Sequence, residues 1–152
     1  MMGPSHIILL AALVVLLVIA SVTDWRTRTI DNWLNIAIAI GAPLWWWANG
    51  ISLWPDVAII VAQAVFAFGV FAAMFALGAM GGGDVKMIGA LALWFPPFQF
   101  LHLISMMAIA GGVLTVVMLI CHKIHKFEGR PEIPYGIAIA FAALWEVSQT
   151  IS

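Results

Sequence analysis

The sequence predicts an all-α integral membrane protein with six transmembrane helices. Of its 152 residues, 64% are hydrophobic and 9% are charged, a balance far from that of soluble proteins. Long charge-free runs recur along the chain, without the alternating pattern of membrane strands. Because unpaired backbone amides are costly in hydrocarbon, such runs must cross as helices of about 20 residues. No internal repeat or linker divides the chain, so residues 1–152 are predicted to form a single transmembrane domain.

The apolar runs and their breaks predict the six helices. In chain order we expect them at Ile7 to Val22, Asn32 to Trp47, Val57 to Leu77, Asp84 to Phe95, Phe98 to Cys121 and Pro134 to Val147. No basic residue precedes the first, so it is interpreted as a retained helix and not a signal peptide. Pro96 and Pro97 divide a run that would reach about 54 Å as one helix, well beyond a hydrocarbon core of about 30 Å.

The basic residues predict the orientation of these helices. All six follow the first, third or fifth helix: Arg26, Arg28, Lys86, Lys123, Lys126 and Arg130. By the positive-inside rule these loops are cytoplasmic, and both termini lie outside. Tryptophans near helix ends are predicted to anchor the protein at the two interfaces, with Trp25 and Trp33 inside and Trp45, Trp46, Trp47, Trp54, Trp94 and Trp145 outside.

Several classes of function are excluded or disfavoured by composition. The net charge is −1, so there is no basic surface for nucleic acid. A lone cysteine, Cys121, forms no internal disulfide and is expected to be a small apolar helix residue. Together with His122 and His125 it offers three candidate metal ligands, but not the paired spacing of a structural zinc site. We expect neither a metal nor a cofactor.

Three of the seven acidic residues stand out. Four have a sufficient explanation as solvated groups: Asp56 and Glu146 at the outer face, and Glu128 and Glu132 in the last inner loop. The others, Asp24, Asp31 and Asp84, lie at cytoplasmic helix ends. There an acidic side chain is costly unless it caps a helix, forms a pair or has a chemical role.

Asp84 follows a glycine-rich segment. Four of the six residues from Gly78 to Gly83 are glycine, each costing about 1 kcal/mol relative to alanine in a helix, so an irregular loop beside a polar cavity is expected. The helix from Asp84 to Phe95 would extend only about 18 Å, which places Asp84 below the cytoplasmic surface. An N-cap aspartate explains the residue type equally well.

Asp24 ends the first helix on the same side and approaches Asp84 if those helices are neighbours. Two close aspartates do not both ionise readily, so one provides a general base and the other a general acid. Such a pair is suited to amide hydrolysis by an activated water.

Serine nucleophiles are less convincing. Ser5 adjoins His6, and Ser105 follows His102 by three residues. Both pairs fall near the outer face, without an evident acid to orient the imidazole.

Three segments together resemble the type IV prepilin peptidase family, the pilin-leader members of the GxGD aspartyl proteases. They are the basic stretch from Asp24 to Trp33, the glycine-aspartate segment from Gly81 to Lys86, and the segment from Ile133 to Ile139 that opens the last helix. The resemblance implies that Asp24 and Asp84 are the catalytic pair.

Other residues gain expected roles from the same resemblance. Gly81 and Gly83 would be flexible backbone beside the second aspartate. Asp31 stands where the family usually has proline, so it is interpreted as a cap on the second helix whose charge bears on the pair. Lys86 would pair with an acidic group of the substrate or tune Asp84, with a positive-inside anchor as the alternative.

The implied substrates are pilin-like precursors with a short basic leader ending in glycine, ahead of an apolar helix. Cleavage would occur at the cytoplasmic face of the bacterial inner membrane. Larger relatives also methylate the new amino terminus and carry an extra amino-terminal domain. This chain resembles the short enzymes of tight-adherence (Flp-type) pili, so we expect a peptidase without methyltransferase activity.

Two other functions are considered. A non-enzymatic membrane subunit or small transporter would use Asp84 to bind a proton or cation at a broken helix, and would tolerate Asp24→Asn. A relative of the signal-peptide-peptidase kind would pair Tyr-Asp with the glycine motif, but the one tyrosine, Tyr135, is not followed by aspartate.

Overall fold

A computed structural model describes residues 3–125 and 133–151, and these ranges are built of helices. Six α-helices occur in the described part of the chain: α1 (Pro4–Thr27), α2 (Asn32–Ala48), α3 (Ala58–Ala76), α4 (Gly82–Ala92), α5 (Pro97–His125) and α6 (Tyr135–Ile151). A short kinked segment, Leu53–Val57, leads into α3, and Trp54 within it has non-helical backbone angles (φ −137°, ψ 127°). The order of the helices agrees with the sequence prediction. The predicted loop residues Lys126, Glu128, Arg130 and Glu132 lie outside the described residues.

Three of the described helices are long and apolar enough to cross a membrane. They comprise Pro4–Thr27, Leu53–Ala76 (including the kinked segment before α3) and Pro97–Ile124, and Tyr135–Ile151 is a shorter apolar helix. The short α4 has 11 residues, or about 16 Å of rise, so it extends only part of the way across the hydrocarbon core.

The short helix α4 is central in the packing. It contacts α2, α3 and α6, while α1 packs on α2 and α6, and α5 packs on α6. Its core-facing side chains Met87, Ile88 and Leu91 are fully buried. Because α1 and α4 share α2 and α6 as neighbours, residues at the ends of α1 and α4 can approach each other.

Two tryptophans predicted to be interfacial are instead packed inside the bundle. Trp45 and Trp94 are 8% and 4% exposed, and their rings stack with centroids 5.8 Å apart. Trp94 Nε1 donates to the Ile38 carbonyl at 2.7 Å, which satisfies the indole N–H away from water. The interfacial prediction was therefore wrong for these two residues, whereas Trp47 and Trp54 are largely exposed.

Glu146 is a second correction. It was predicted to be solvated at the outer face, but it lies within α6, is 4% exposed, and is hydrogen-bonded to His102 Nδ1 of α5. Burial of the carboxyl group is compensated by this partner. Ser105 does not join them, because its hydroxyl donates to the Leu101 carbonyl at 2.9 Å.

The buried Trp94 generates a prediction about Gly41 of α2. A Cβ atom at Gly41 would lie 2.5 Å from Trp94 Cζ2, whereas one at Gly69 of α3 would meet nothing within 4 Å. We expect Gly41→Ala to displace the indole and destabilise the protein by roughly 1–3 kcal/mol. Thermal unfolding in detergent measures this. Gly69→Ala is the matched control and should not lower stability, so equal unfolding temperatures for the two variants would contradict the packing described here.

Candidate functional site

Asp24 and Asp84 line one cavity at the end of the bundle where α1 ends and α4 begins. The cavity has a volume of about 290 Å³ and is lined by Asp24, Arg28, Thr29, Ile30, Asn32, Gly82, Gly83, Asp84 and Lys86. Both aspartates are more than nine-tenths buried, and they are close enough for their charges to interact. The structure thus brings together two acids that are distant in sequence.

Asp24 lies in the last turn of α1 and faces the beginning of α6. The backbone amides of Gly136 and Ile137 lie near its carboxyl group. A Cβ atom at Gly136 would be 2.8 Å from Asp24 Oδ2, so only glycine leaves room for the carboxyl group here. That Oδ2 atom is buried and makes no hydrogen bond of good geometry with any described residue. A buried carboxyl oxygen of this kind calls for a functional explanation.

Asp84 lies in the first turn of α4, but it is not the N-cap residue. That position is Gly81, and the Asp84 side chain turns back toward the Gly81 backbone. Asp84 is thus the third residue of α4 and not its N-cap, as the alternative interpretation had it, but its carboxyl group still lies beside the backbone of the N-cap residue. The helix also begins at Gly82, two residues earlier than predicted, so the irregular part of the glycine-rich segment ends at Gly81.

The glycine beside Asp84 permits a close approach of two backbones. A Cβ atom at Gly83 would lie 3.1 Å from Ile30 Cβ and 3.3 Å from the Ile30 backbone nitrogen. Gly81, with φ −74°, is not in the left-handed region either. A Cβ atom at Gly81 would lie 3.0 Å from Asp84 Oδ2, so lack of space for a side chain accounts for both glycines of the motif.

Two residues near the aspartates, one lining the cavity and one bonded to its wall, were not singled out from the sequence. Arg28 ends α1 in the left-handed conformation (φ 56°), its backbone N–H donating to the Asp24 carbonyl at 3.0 Å, and its buried Nη1 has no hydrogen-bond partner among the described residues. Asn35 is 5% exposed, and its amide donates to the Gly83 carbonyl at 3.4 Å. The sequence did contain a signal for Arg28: it follows Asp24 by four residues, the spacing that places two side chains near each other on a helix.

The sequence left the roles of Lys86 and Asp31 open, and the structure shows where each side chain lies. Lys86 Nζ donates to Asn32 Oδ1 at 2.8 Å, so its described partner is an amide and not Asp84. Asp31 occupies the N-cap position of α2, as predicted, but its side chain makes no capping hydrogen bond. It is exposed and does not line the cavity.

Comparison with known proteins adds the decisive observation. A family model described as the type IV leader peptidase family matches residues 11–120. The chain belongs to the type IV leader peptidase family. No curated protein and no solved structure matches the chain significantly.

The family match includes both cavity aspartates. Asp24 and the segment from Gly81 to Asp84 fall inside the matched range, while Gly136 lies beyond it. Among the described residues, no group of three or more His, Cys, Asp or Glu side chains is placed to hold a metal ion. The leader peptidase family and the apolar helices together make this an integral membrane peptidase.

Gly136 provides a test of the cavity geometry. We expect Gly136→Ala to slow leader removal by about tenfold to 100-fold, because the added methyl group would push the Asp24 carboxyl group away and small misplacements are costly. Precursor processing in membranes measures the effect. Gly112→Ala in α5 is the control, since a Cβ atom there meets nothing within 4 Å. Normal processing by Gly136→Ala at wild-type protein levels would argue against this placement.

Proposed function

We propose that the protein is an aspartyl endopeptidase that removes the short basic leader of pilin-like precursors, with Asp24 and Asp84 as its catalytic pair. The observation that carries the proposal is that both buried aspartates line one small cavity. Membership of the type IV leader peptidase family supports the substrate class.

In the proposed reaction the two carboxyl groups share one proton. The ionised group accepts a proton from water as that water attacks the scissile carbonyl carbon. The protonated group then delivers its proton to the leaving amine as the carbon–nitrogen bond breaks. The attacking oxygen stays on the glycine that ends the leader, as its new carboxylate, and the apolar segment acquires a free amino terminus. After product release the two carboxyl groups again share one proton.

Groups near the aspartates would stabilise a negatively charged intermediate in this cavity. The Arg28 guanidinium interacts electrostatically with Asp24, and the first amides of α6 lie at the positive end of that helix. Arg28 Nη1 is buried without a described partner, so it can donate to a carbonyl or a developing oxyanion of the substrate. We propose that Arg28 assists the aspartates in this way.

We also propose that the cavity faces the cytoplasm and that the membrane is the bacterial inner membrane. Arg26, Arg28 and Lys86 lie at the same end of the bundle as the cavity, as the positive-inside rule requires of a cytoplasmic face. A leader that is cationic and water-soluble would then reach the aspartates without crossing hydrocarbon.

Conservative substitutions test the catalytic pair. We expect Asp24→Asn and Asp84→Asn each to reduce leader removal at least about 100-fold, because each removes one half of the acid–base pair. Co-expression with a precursor, followed by separation of precursor and mature forms, measures this.

Asp31→Asn is the matched control, because Asp31 is a nearby exposed acid outside the cavity. We expect its processing to stay within about threefold of wild type, since charge effects between exposed groups are small. Undiminished cleavage by either Asp24→Asn or Asp84→Asn would refute the pair. A membrane subunit or transporter that relies on Asp84 alone would tolerate Asp24→Asn.

A further inference from the structure

A second cavity, which we call the lateral groove, adjoins the aspartate cavity. It has a volume of about 620 Å³ and is lined by Asn32, Asn35, Ile36, Ala39, Val61, Ala64, Val65, Phe68, Lys86, Gly89, Ala90 and Leu93. Asn32 and Lys86 line both cavities. The lateral groove therefore begins where the aspartate cavity ends.

The lining has the pattern of three helix faces arranged for a fourth helix. Each of α2, α3 and α4 contributes residues spaced i, i+3, i+4 and i+7, beginning at Asn32, Val61 and Lys86 respectively, which is one stripe of an α-helix. The last residue of the third stripe, Leu93, is the C-cap of α4. Such a stripe is about 10 Å long, or two helical turns. Small residues occur on each stripe, as at membrane helix–helix contacts.

The lateral groove is open on the side where lipid would lie. Both α2 and α3 pack on α4, and they have no extended contact with each other, so α4 forms the floor. On the walls, Ile36 of α2 and Val65 of α3 are 57% and 68% exposed. An apolar segment already in the membrane can enter sideways between α2 and α3.

The end of the lateral groove near the aspartates is polar. This polarity distinguishes it from an apolar groove between helices that only faces lipid. Asn35 lines it and is 95% buried (5% exposed), and its Oδ1 atom has no hydrogen-bond partner among the described residues. Its amide nitrogen donates to the Gly83 carbonyl, next to Asp84. An unpaired buried acceptor is costly. Acyl chains carry no donor to satisfy it, whereas the first backbone N–H groups of a helix are free to donate.

We propose that the lateral groove binds the first two turns of the precursor's apolar helix and so positions the peptide bond ahead of that helix at the aspartates. The proposal rests on the proposed function and names where its substrate lies. The occupant is an apolar helix that begins with unpaired N–H groups at the Asn35 end. The docked segment is about seven residues long, or two helical turns.

Cross-linking tests occupancy without requiring cleavage. A photo-reactive amino acid is placed at Val65 in the Asp84→Asn protein and, as a control, at Val70, which lies on the same helix, is 44% exposed and does not line the lateral groove. The co-expressed probe is a precursor with a basic leader ending in glycine followed by an apolar helix. We expect adducts with the first two turns of that helix from Val65, at least about fivefold more than from Val70. Adducts with a second copy of the chain, or none with the precursor, would overturn the proposal.

A larger side chain placed in the lateral groove tests whether cleavage requires the substrate helix to bind there. We expect Val65→Trp to slow leader removal by about tenfold or more, and Val70→Trp to stay within about twofold of wild type, because only the first indole occupies the space of the substrate helix. Normal processing by Val65→Trp, together with loss of processing in Asp24→Asn, would overturn the groove proposal and leave the catalytic pair intact. If Val65→Trp fails to accumulate, the cross-linking result decides.

Discussion

The position of both aspartates depends on the contact of Ile30 with two glycines. Ile30 lies in the turn between α1 and α2, is 8% exposed, and contacts Gly83 of α4 through its backbone and Cβ. A Cβ atom at Gly136 of α6 would lie 2.8 Å from Ile30 Cδ1. Ile30, through its backbone and its side chain, therefore limits how closely α4 and α6 approach the end of α1, and with them the two walls of the aspartate cavity. Any larger residue in place of either glycine would separate the elements that carry or face the acids.

The helices and the two acids could be predicted from the sequence because their signals are local. Charge-free runs define membrane helices, and an acid in an apolar chain is rare enough to be noticed. The grouping of Asp24 with Asp84 needed more than local signals, because their approach depends on α2 and α6 as shared neighbours. Resemblance to a family supplied that step.

The errors concern residues whose environment is decided by tertiary contacts. Trp94 has the residue type and helix-end position of an interfacial anchor, yet Gly41 leaves space for its ring inside the bundle. Glu146 looked solvated because it lies near the last helix end, but His102 on a neighbouring helix allows it to be buried. Asn35 gave no sequence signal at all, since its role depends on the Gly83 carbonyl. The partner that a side chain finds on another helix cannot be predicted from the spacing of residues along its own helix.

The placement of the lateral groove on α4 has a consequence for the substrate's conformation. Asp84 and the stripe that begins at Lys86 lie on roughly opposite sides of α4, since successive residues are separated by about 100°. In the proposed complex, a peptide bond at Asp84 would thus be separated from a helix in the lateral groove by about the width of one helix, roughly 10 Å in a straight line. An extended chain would need at least about three residues, at 3.3–3.6 Å each, to cover that distance, because its path around α4 is longer than the straight line. In the proposed complex, the residues that join the leader to the docked helix would therefore have to leave the helical conformation and pass around the first turn of α4. Extended backbone would expose the carbonyl that water attacks, so on these proposals the short helix α4 would separate a site for helical packing from a site for hydrolysis.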